Sequence, residues 1–567
     1  MNGDQSRAAN DQPGAPPHDP LRELLTGALQ HQQKNELGQA EQLYRRALTL
    51  KPDFAEVHNN LGVVLLAQGK RAEATESFMQ ALVLRPELLD QFANIVEAFK
   101  SLNPAFAEAA SKAMAAWPRL PDLHELFGAA GLTSIAADPM LLHLISSTSA
   151  KTVEMERLLT AVRAALLLTP EKAGADILGF ASALAQQCFI NEYVFSVTPA
   201  ETERLAALKQ GDPSKRSPLT LLIIAMYEPL GSLPDAIALF KGDWPPAVKT
   251  VVTQQIAEPA EERQLRASIP ALTRIDDATS QKVRQQYEEN PYPRWVRAAA
   301  PPAQPTAIED YLRAQFPGVP QFATARETID VLVAGCGTGR NAIEIAQKYR
   351  GARVLAIDLS VASLAAAKRK TPQPLADKIQ YAQADILNAA SLNRTFDLIS
   401  ASGVLHHFAD PLTGWRALLN VLKPGGVMHL GLYSDLARRD VVAARKFIAE
   451  KDYGASAAEI RRCRQDLMGT AHRVLAKFGD FFSTSECRDL LFHVQESRFT
   501  IPAIKAFLAE QNLRFLGFEF DPATMRQVQA MFAQAGKSLV DLDAWHDLET
   551  NNPDAFATMY QFWVQKL

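Results

Sequence analysis

Two architectures are expected in this chain: an all-helical N-terminal part and a C-terminal α/β part on a mostly parallel sheet. Three observations predict this. Small and aromatic residues recur with a 34-residue displacement before residue 90. No strand-like alternation is visible between residues 122 and 277. From residue 329 onward, short apolar runs alternate with helical patterns, the mark of βαβ units.

A length of 567 residues implies several domains. Apolar content of 47% and charged content of 22% are ordinary for globular chains, and the net charge of -4 gives no pull toward nucleic acid or anionic membrane. Cys188, Cys336, Cys463 and Cys487 lie far apart without ligand spacing, which suits a reducing cytoplasm. The polar, Pro/Gly-rich start has no apolar core for a signal peptide, and the longest apolar run, Leu219–Tyr227, is too short to span a bilayer. A cytoplasmic location without a membrane partner is therefore expected.

In chain order, residues 1–20 are polar and expected to be disordered. In Leu21–Pro86, Ala40, Tyr44, Ala47 and Pro52 recur as Ala74, Phe78, Ala81 and Pro86, and the second unit adds Leu61, Gly62, Leu65 and Gly69. Small residues let two helices approach, the aromatic fills the gap between repeats, and proline ends the second helix. The pattern is similar to tetratricopeptide (TPR) repeats. A degenerate third unit with Ala113, Trp117 and Pro118 extends the array to residue 121. Such arrays bind peptides on a concave face, so a protein partner is expected; the alternative is an array that docks only on its neighbour.

Residues 122–280 form a helical connection, with spacing near 3.6 in Met155–Leu168 and Ala175–Gln187. Asn191–Phe195 reads as a packing segment. Residues 281–320 hold the aromatic stretch Tyr287–Trp295 and the Pro/Ala linker Ala298–Pro305, and the aromatic stretch is either a lid or interdomain packing. Residues 21–277 are expected to be a separate unit, severable at the linker.

Residues 321–567 carry the site. Ile329–Ala334 reads as a buried strand, Gly335, Gly337 and Gly339 as a tight turn, and Asn341–Lys348 as a helix. Free N–H groups at that helix start, with no side chains in the way, make a nucleotide-type pocket. Gly337-x-Gly339-x-x-Ala342 also fits a dinucleotide fingerprint, so the glycines alone are ambiguous. Further strands are Arg353–Ile357 ending at Asp358, Lys378–Ala382 before Asp385, and Phe396–Ser400 running into Ser402–Phe408. Lys423-Pro-Gly-Gly426 then leads to a strand ending at Tyr433.

Ser434–Asn512 reads as a helical insertion rich in arginine, including Arg438, Arg439, Arg445, Arg461, Arg462 and Arg464. It is either a solvated face or a pocket cover favouring an acidic ligand. Within it Asp489, His493 and Glu496 can share one helical edge, either to tune a base or to brace the insertion. Leu513–Phe520 and Ala557–Gln565 read as the closing strands.

The ordered series Gly-Cys-Gly-Thr-Gly, Asp358, Asp385, Val404-Leu-His-His407 and Lys-Pro-Gly-Gly resembles the class I S-adenosylmethionine (SAM)-dependent methyltransferases. The order of segments is similar to bacterial TPR-linked methyltransferases of undefined substrate. The resemblance implies a Rossmann-like sheet of seven strands with a final antiparallel strand. It implies SAM as cofactor, with its methionine part at Gly335, Cys336, Gly337, Thr338 and Gly339. The ribose would lie at Asp358 and Leu359, the adenine beside Asp385 and Ile386, and Ser402 and Gly403 would complete the pocket. The acid that often stands two residues before the first glycine is here Val333. Asn290-Pro-Tyr-Pro differs in order and place from the Asn-Pro-Pro-Tyr motif of amino-group methyltransferases.

Cys336 is read as a small residue filling a turn. His406 and His407, at the open edge of the sheet, and His493 are candidate general bases, set against the reading of loop or bracing residues. No metal-ligand spacing is present, and no metal is expected. Three functions follow: a methyltransferase whose TPR arm recruits a protein substrate, a small-molecule methyltransferase with a structural arm, or a SAM-sensing scaffold. The acceptor is not legible. Both Tyr287–Trp295 and the insertion are expected to face the glycine loop, with His493 within reach of the pocket.

Overall fold

A computed structural model describes residues 20–85, 93–172, 176–302, 304–316 and 326–567. Residues 1–19 of the expected disordered segment, and Pro86 of the second repeat, lie outside these. The chain forms two compact units, residues 1–102 and 103–567.

In the first unit the helices Leu37–Leu50 and Arg71–Leu84 keep the 34-residue displacement of the repeat. Ala40, Tyr44 and Ala47 are buried in one, and Ala74, Phe78 and Ala81 in the other. A Cβ at Gly62 would collide with the Phe78 ring, which accounts for glycine there. The tyrosine hydroxyl of Tyr44 donates to Gln32 Oε1 at 2.8 Å, so the buried ring keeps its polar end satisfied.

The expected boundary near residue 277 is corrected. Ala113, on the helix Pro104–Ala116, belongs to the second unit, as does everything up to the sheet. Long-range polar contacts explain this. The buried Arg464 guanidinium meets Glu156 at 2.7 Å. Arg369 meets Glu258 and Glu262, each at 2.9 Å. The segment at Pro270–Leu272 adds to the sheet edge: Gln383 N donates to Pro270 O at 2.8 Å and Leu272 N to Gln383 O at 2.9 Å. The helical block is thus built into the same unit as the sheet. Asn191–Phe195, read as a packing segment, turns through positive φ at Glu192 and Tyr193 and abuts the insertion, its Asn191 carbonyl accepting from Thr484 N.

The sheet has seven strands: β1 Ile329–Ala334, β2 Ala352–Asp358, β3 Ile379–Gln383, β4 Phe396–Ser402, β5 Leu422–Leu432, β6 Leu513–Phe518 and β7 Tyr560–Lys566. Their order is β3-β2-β1-β4-β5-β7-β6, and β7 runs antiparallel to both β5 and β6. The central strands are apolar on both faces. Leu332 and Ala334 enter one core and Val331 and Val333 the other, as the two-residue period of a strand covered on both sides requires. Lys423–Gly426 lies inside the start of β5, where its register with β4 shifts. Chain order reverses between β1 and β4, the switch point where open α/β sheets bind ligands beyond the strand ends.

The insertion has its own core, from Val441 through Cys463 and Leu475 to Leu491. The next helix, Ile501–Glu510, instead buries Ile504, Phe507 and Leu508 in the sheet's core, with Phe507 4.4 Å from Trp415. The insertion therefore ends before residue 501 rather than at 512. Among the described residues no helix is long and apolar enough to cross a membrane.

Candidate active site

The turn after β1 is held open by backbone geometry. Gly335 and Gly337 have φ of 71° and 52°, and a Cβ on Gly337 would strike the Tyr292 carbonyl. The amides of Gly335 and Cys336 both donate to Ile357 O at 2.9 Å. Gly337 N donates to Asp358 Oδ2 at 2.8 Å, and Ser360 N to Asp358 Oδ1 at 2.9 Å. The ends of β1 and β2 are thereby fixed to one another. Burial raises the Asp358 carboxyl to about 6, against the opposing pull of those amides. Burial also pushes the Cys336 thiol well up, so it is a packed thiol, not a reactive thiolate.

A cavity of about 510 Å³ opens along this turn. Of the residues expected to bind cofactor, Gly335, Cys336, Gly337, Asp358, Leu359, Asp385, Ile386, Ser402 and Gly403 line it. Thr338 and Gly339 do not. Thr338 lies under the Tyr287–Trp295 strap, donating from Oγ1 to Pro293 O at 2.5 Å and accepting from Trp295 Nε1 at 2.9 Å. A Cβ on Gly339 would meet Ala367, so this glycine serves helix packing.

The strap is a wall of the site. Tyr287 and Tyr292 line the cavity, as do Ser280 and Val283 from the helix Ala278–Glu289. The carboxylate of Glu288 accepts from Val361 N at 2.5 Å, and the Tyr287 carbonyl accepts from Ser360 Oγ at 3.0 Å. Sequence reasoning missed Ser280 and Val283, which sit in an ordinary amphipathic pattern. It also missed Ser363, Met559 and Gln561 as lining residues. The last two reach the site because β7 inserts beside β5, a pairing with no local signal.

The three histidines separate clearly. His406 is wholly buried, stacks on Tyr433 at 3.7 Å and has neither ring nitrogen bonded; it does not line the cavity. Burial, then the neighbouring His407, hold it well below the usual imidazole range. His407 lines the cavity, and its Nδ1–H donates to Gln495 O at 2.9 Å, leaving the Nε2 lone pair free of that bond. Burial lowers its affinity for a proton. His493 lies behind it, ring to ring at 3.7 Å, and does not line the cavity. Its Nδ1 accepts from Gln495 N at 3.1 Å, which puts the ring proton on Nε2, facing Tyr287 Oη at 3.2 Å. Burial keeps it neutral.

The expected helical edge of Asp489, His493 and Glu496 is corrected: the helix Thr484–Phe492 stops before His493, whose ψ is 136°. Glu496 turns away to Arg438, at 2.5 Å, and Arg445, at 3.4 Å. His407, Asp489 and His493 place ligand-type atoms within 4.8 Å of one another. The tautomers oppose a shared cation. Metal at His493 Nε2 would need the proton on Nδ1, where Gln495 N–H already points, and the two rings lie within 20° of parallel, so their in-plane lone pairs do not converge.

Arg438, Arg439, Arg445, Arg461, Arg462 and Arg464 of the insertion do not line the cavity. Of the two readings, the cover drawing an acidic ligand is not met, and the buried Arg438 and Arg464 do not form a solvated face either. These cations are turned to partners such as Glu496, Asp554, Glu459 and Glu156. The cavity wall carries Glu344, Asp358, Asp385 and Asp489 against Arg340.

The fold and this site define a class I methyltransferase domain, for which SAM is the cofactor, in a chain that also carries N-terminal TPR repeats. Residues 332–428 match a methyltransferase domain family, and residues 30–69 and 55–88 match a TPR repeat and a tetratricopeptide repeat family. An uncharacterized protein of Synechococcus is 28% identical over 260 residues, 43% of this chain and 61% of that protein. The tRNA 5-carboxymethoxyuridine methyltransferase of Escherichia coli K12 is 36% identical over 110 residues, 19% of this chain and 41% of the relative. The chain thus spans less than two thirds of either. Among solved structures, PKMT2 from Rickettsia typhi is 18% identical, with a TM-score of 0.34 over 45% of this chain and 51% of that one.

The residues present fit SAM on their own chemistry. Asp385 Oδ2 is buried beside Ile386 with no well-formed hydrogen bond, Ser280 being its polar neighbour; Ser363 Oγ is likewise unbonded, and all these residues line the cavity. An orphaned buried acceptor is costly unless a ligand donor completes it, and an adenine amino group is such a donor.

Proposed function

We propose that this chain is an active SAM-dependent methyltransferase. The observation that carries the reading is the row of Gly335–Gly337, Asp358 and the buried Asp385 carboxylate along one cavity. When bound, SAM supplies an electrophilic methyl group on a sulfonium sulfur. Asp358, already oriented by two amides, offers its carboxylate to the ribose diol, and Asp385 and Ile386 receive the adenine. The backbone of Gly335–Gly337 leaves room for the methionine part. Tyr287 and Tyr292 cover the cofactor and exclude water. His407 Nε2 takes a proton from the acceptor; His406 and His493 hold that ring in place.

The TPR arm recruits a protein partner in this reading, supported by the intact repeat packing of Tyr44 and Phe78. Incubating cell extract with methyl-labelled SAM tests both parts. The full chain should label a product that is missing with His407→Ala, and deleting residues 1–102 should remove label from protein but not from small acceptors. No labelled product in any fraction would refute the catalytic reading.

A further inference from the structure

We infer that the methyl acceptor is an alkylammonium group held by Asp489 at the aromatic end of the cavity; this rests on the methyltransferase reading above. Asp489, on the helix Thr484–Phe492, is 3% exposed and yet lines the cavity. Its Oδ1 accepts from Tyr287 Oη at 2.6 Å. Among the described residues no lysine or arginine pairs with it. Its helix neighbour Arg488 pairs with Glu289 at 2.9 Å, and Arg438 and Arg445 pair with Glu496. The nearest basic nitrogen recorded is His493 Nε2 at 3.9 Å, on a ring whose other nitrogen already accepts a backbone N–H.

The charges of Arg438 and Arg445 reach Asp489, but both arginines pair with Glu496, and a buried carboxylate with no cation at pairing distance gains when a ligand brings one. The surroundings suit that ligand. Tyr287 and Tyr292 line the same cavity, and aromatic faces attract ammonium groups; Tyr433 lines it too, but its ring is already taken by His406 and Arg438. An anionic acceptor would meet four lining carboxylates and one guanidinium, that of Arg340, which is itself 2.9 Å from Glu344. A neutral hydroxyl would bring no cation into contact with Asp489.

The same wall supplies the proton step. A ring nitrogen of His407 lies within 4.8 Å of the Asp489 carboxylate. His407 Nε2 relays one proton from the ammonium, an uphill transfer because the imidazole is the weaker base, and the nitrogen lone pair is freed. That pair forms the N–C bond to the methyl group while the C–S bond breaks and its electrons stay on sulfur. The positive charge lost by sulfur appears on the methylated nitrogen, and the proton leaves His407 to water.

Calorimetric titration with S-adenosylhomocysteine and with sinefungin, which carries an amine where SAM carries its transferable methyl, tests the inference without a known acceptor. The full-length protein should bind sinefungin at least about tenfold more tightly, and Asp489→Asn should shrink the gap to about threefold or less while leaving S-adenosylhomocysteine affinity unchanged. Equal affinities in the unmodified protein, or a gap that survives Asp489→Asn, would overturn it. Binding of neither ligand would instead defeat the methyltransferase reading. Should Asp489→Asn also weaken S-adenosylhomocysteine, the unmodified complex decides: n-butylammonium should raise its melting temperature and 1-butanol should not, and equal shifts would overturn the inference.

Discussion

The amide of Gly337 donates to the carboxylate of Asp358 at 2.8 Å, joining the turn after β1 to the end of β2. The group expected to hold the ribose is therefore also part of the turn expected to hold the methionine. Asp358→Ala should weaken SAM binding by about 10- to 100-fold, the loss of a charged hydrogen-bond acceptor. Isothermal calorimetry checks this. The fold should survive, because Gly335 and Cys336 stay bonded to Ile357 O.

The raised carboxyl of Asp358 gives a pH dependence with a definite sign. Its folded value, about 6, lies above the ordinary 3.8, so between these the free folded state binds more protons than the unfolded one. This residue's contribution to stability is therefore greatest below pH 3.8 and declines as pH rises toward 6. SAM affinity should move the opposite way, rising up to about pH 6 because the diol needs the ionised carboxylate. Melting and binding measured across pH 4–7, with Asp358→Ala as reference, test the pair of slopes.

Two histidine substitutions should diverge. His407→Ala should lower turnover by about 100-fold or more while SAM affinity changes by about twofold or less, as removal of a general base would. His406→Phe should leave turnover within about threefold and raise the melting temperature, because it removes two buried, unbonded nitrogens of a ring already stacked on Tyr433. Labelled-product assays and thermal melts separate these outcomes.

Glu156 and Arg464 form a buried pair between the helical block and the insertion. Glu156→Ala leaves the guanidinium buried with backbone acceptors only, and should cost about 3–5 kcal/mol in denaturant unfolding. A loss under about 1 kcal/mol would mean that the two parts are not joined through this pair.

Much of this is legible in the sequence. The β1–glycine–helix unit, the strand-end acids and the 34-residue repeat are local patterns, set by burial on both sheet faces and by helix pairing. What was not legible depends on contacts distant in the chain. His493 fits the period of a helix that in fact stops at Phe492, because Gln286, on the strap helix, takes Val494 N instead. The division at residue 102 reflects pairs such as Arg464 with Glu156, 308 residues apart. The arginines of the insertion looked like a basic cover, since a sequence shows charges but not the carboxylates each one meets. His406 and His407 are adjacent, and only the Gln495 carbonyl, supplied by a distant segment, distinguishes them.

The claim that one cavity holds SAM between Asp358 and Asp385 is tested most directly by calorimetric titration of the full-length protein with SAM, alongside Asp385→Ala. The account predicts one site per chain, and at least about tenfold weaker binding when the Asp385 carboxylate is removed. No heat with SAM, binding of NAD in its place, or SAM affinity unchanged by Asp385→Ala would contradict it.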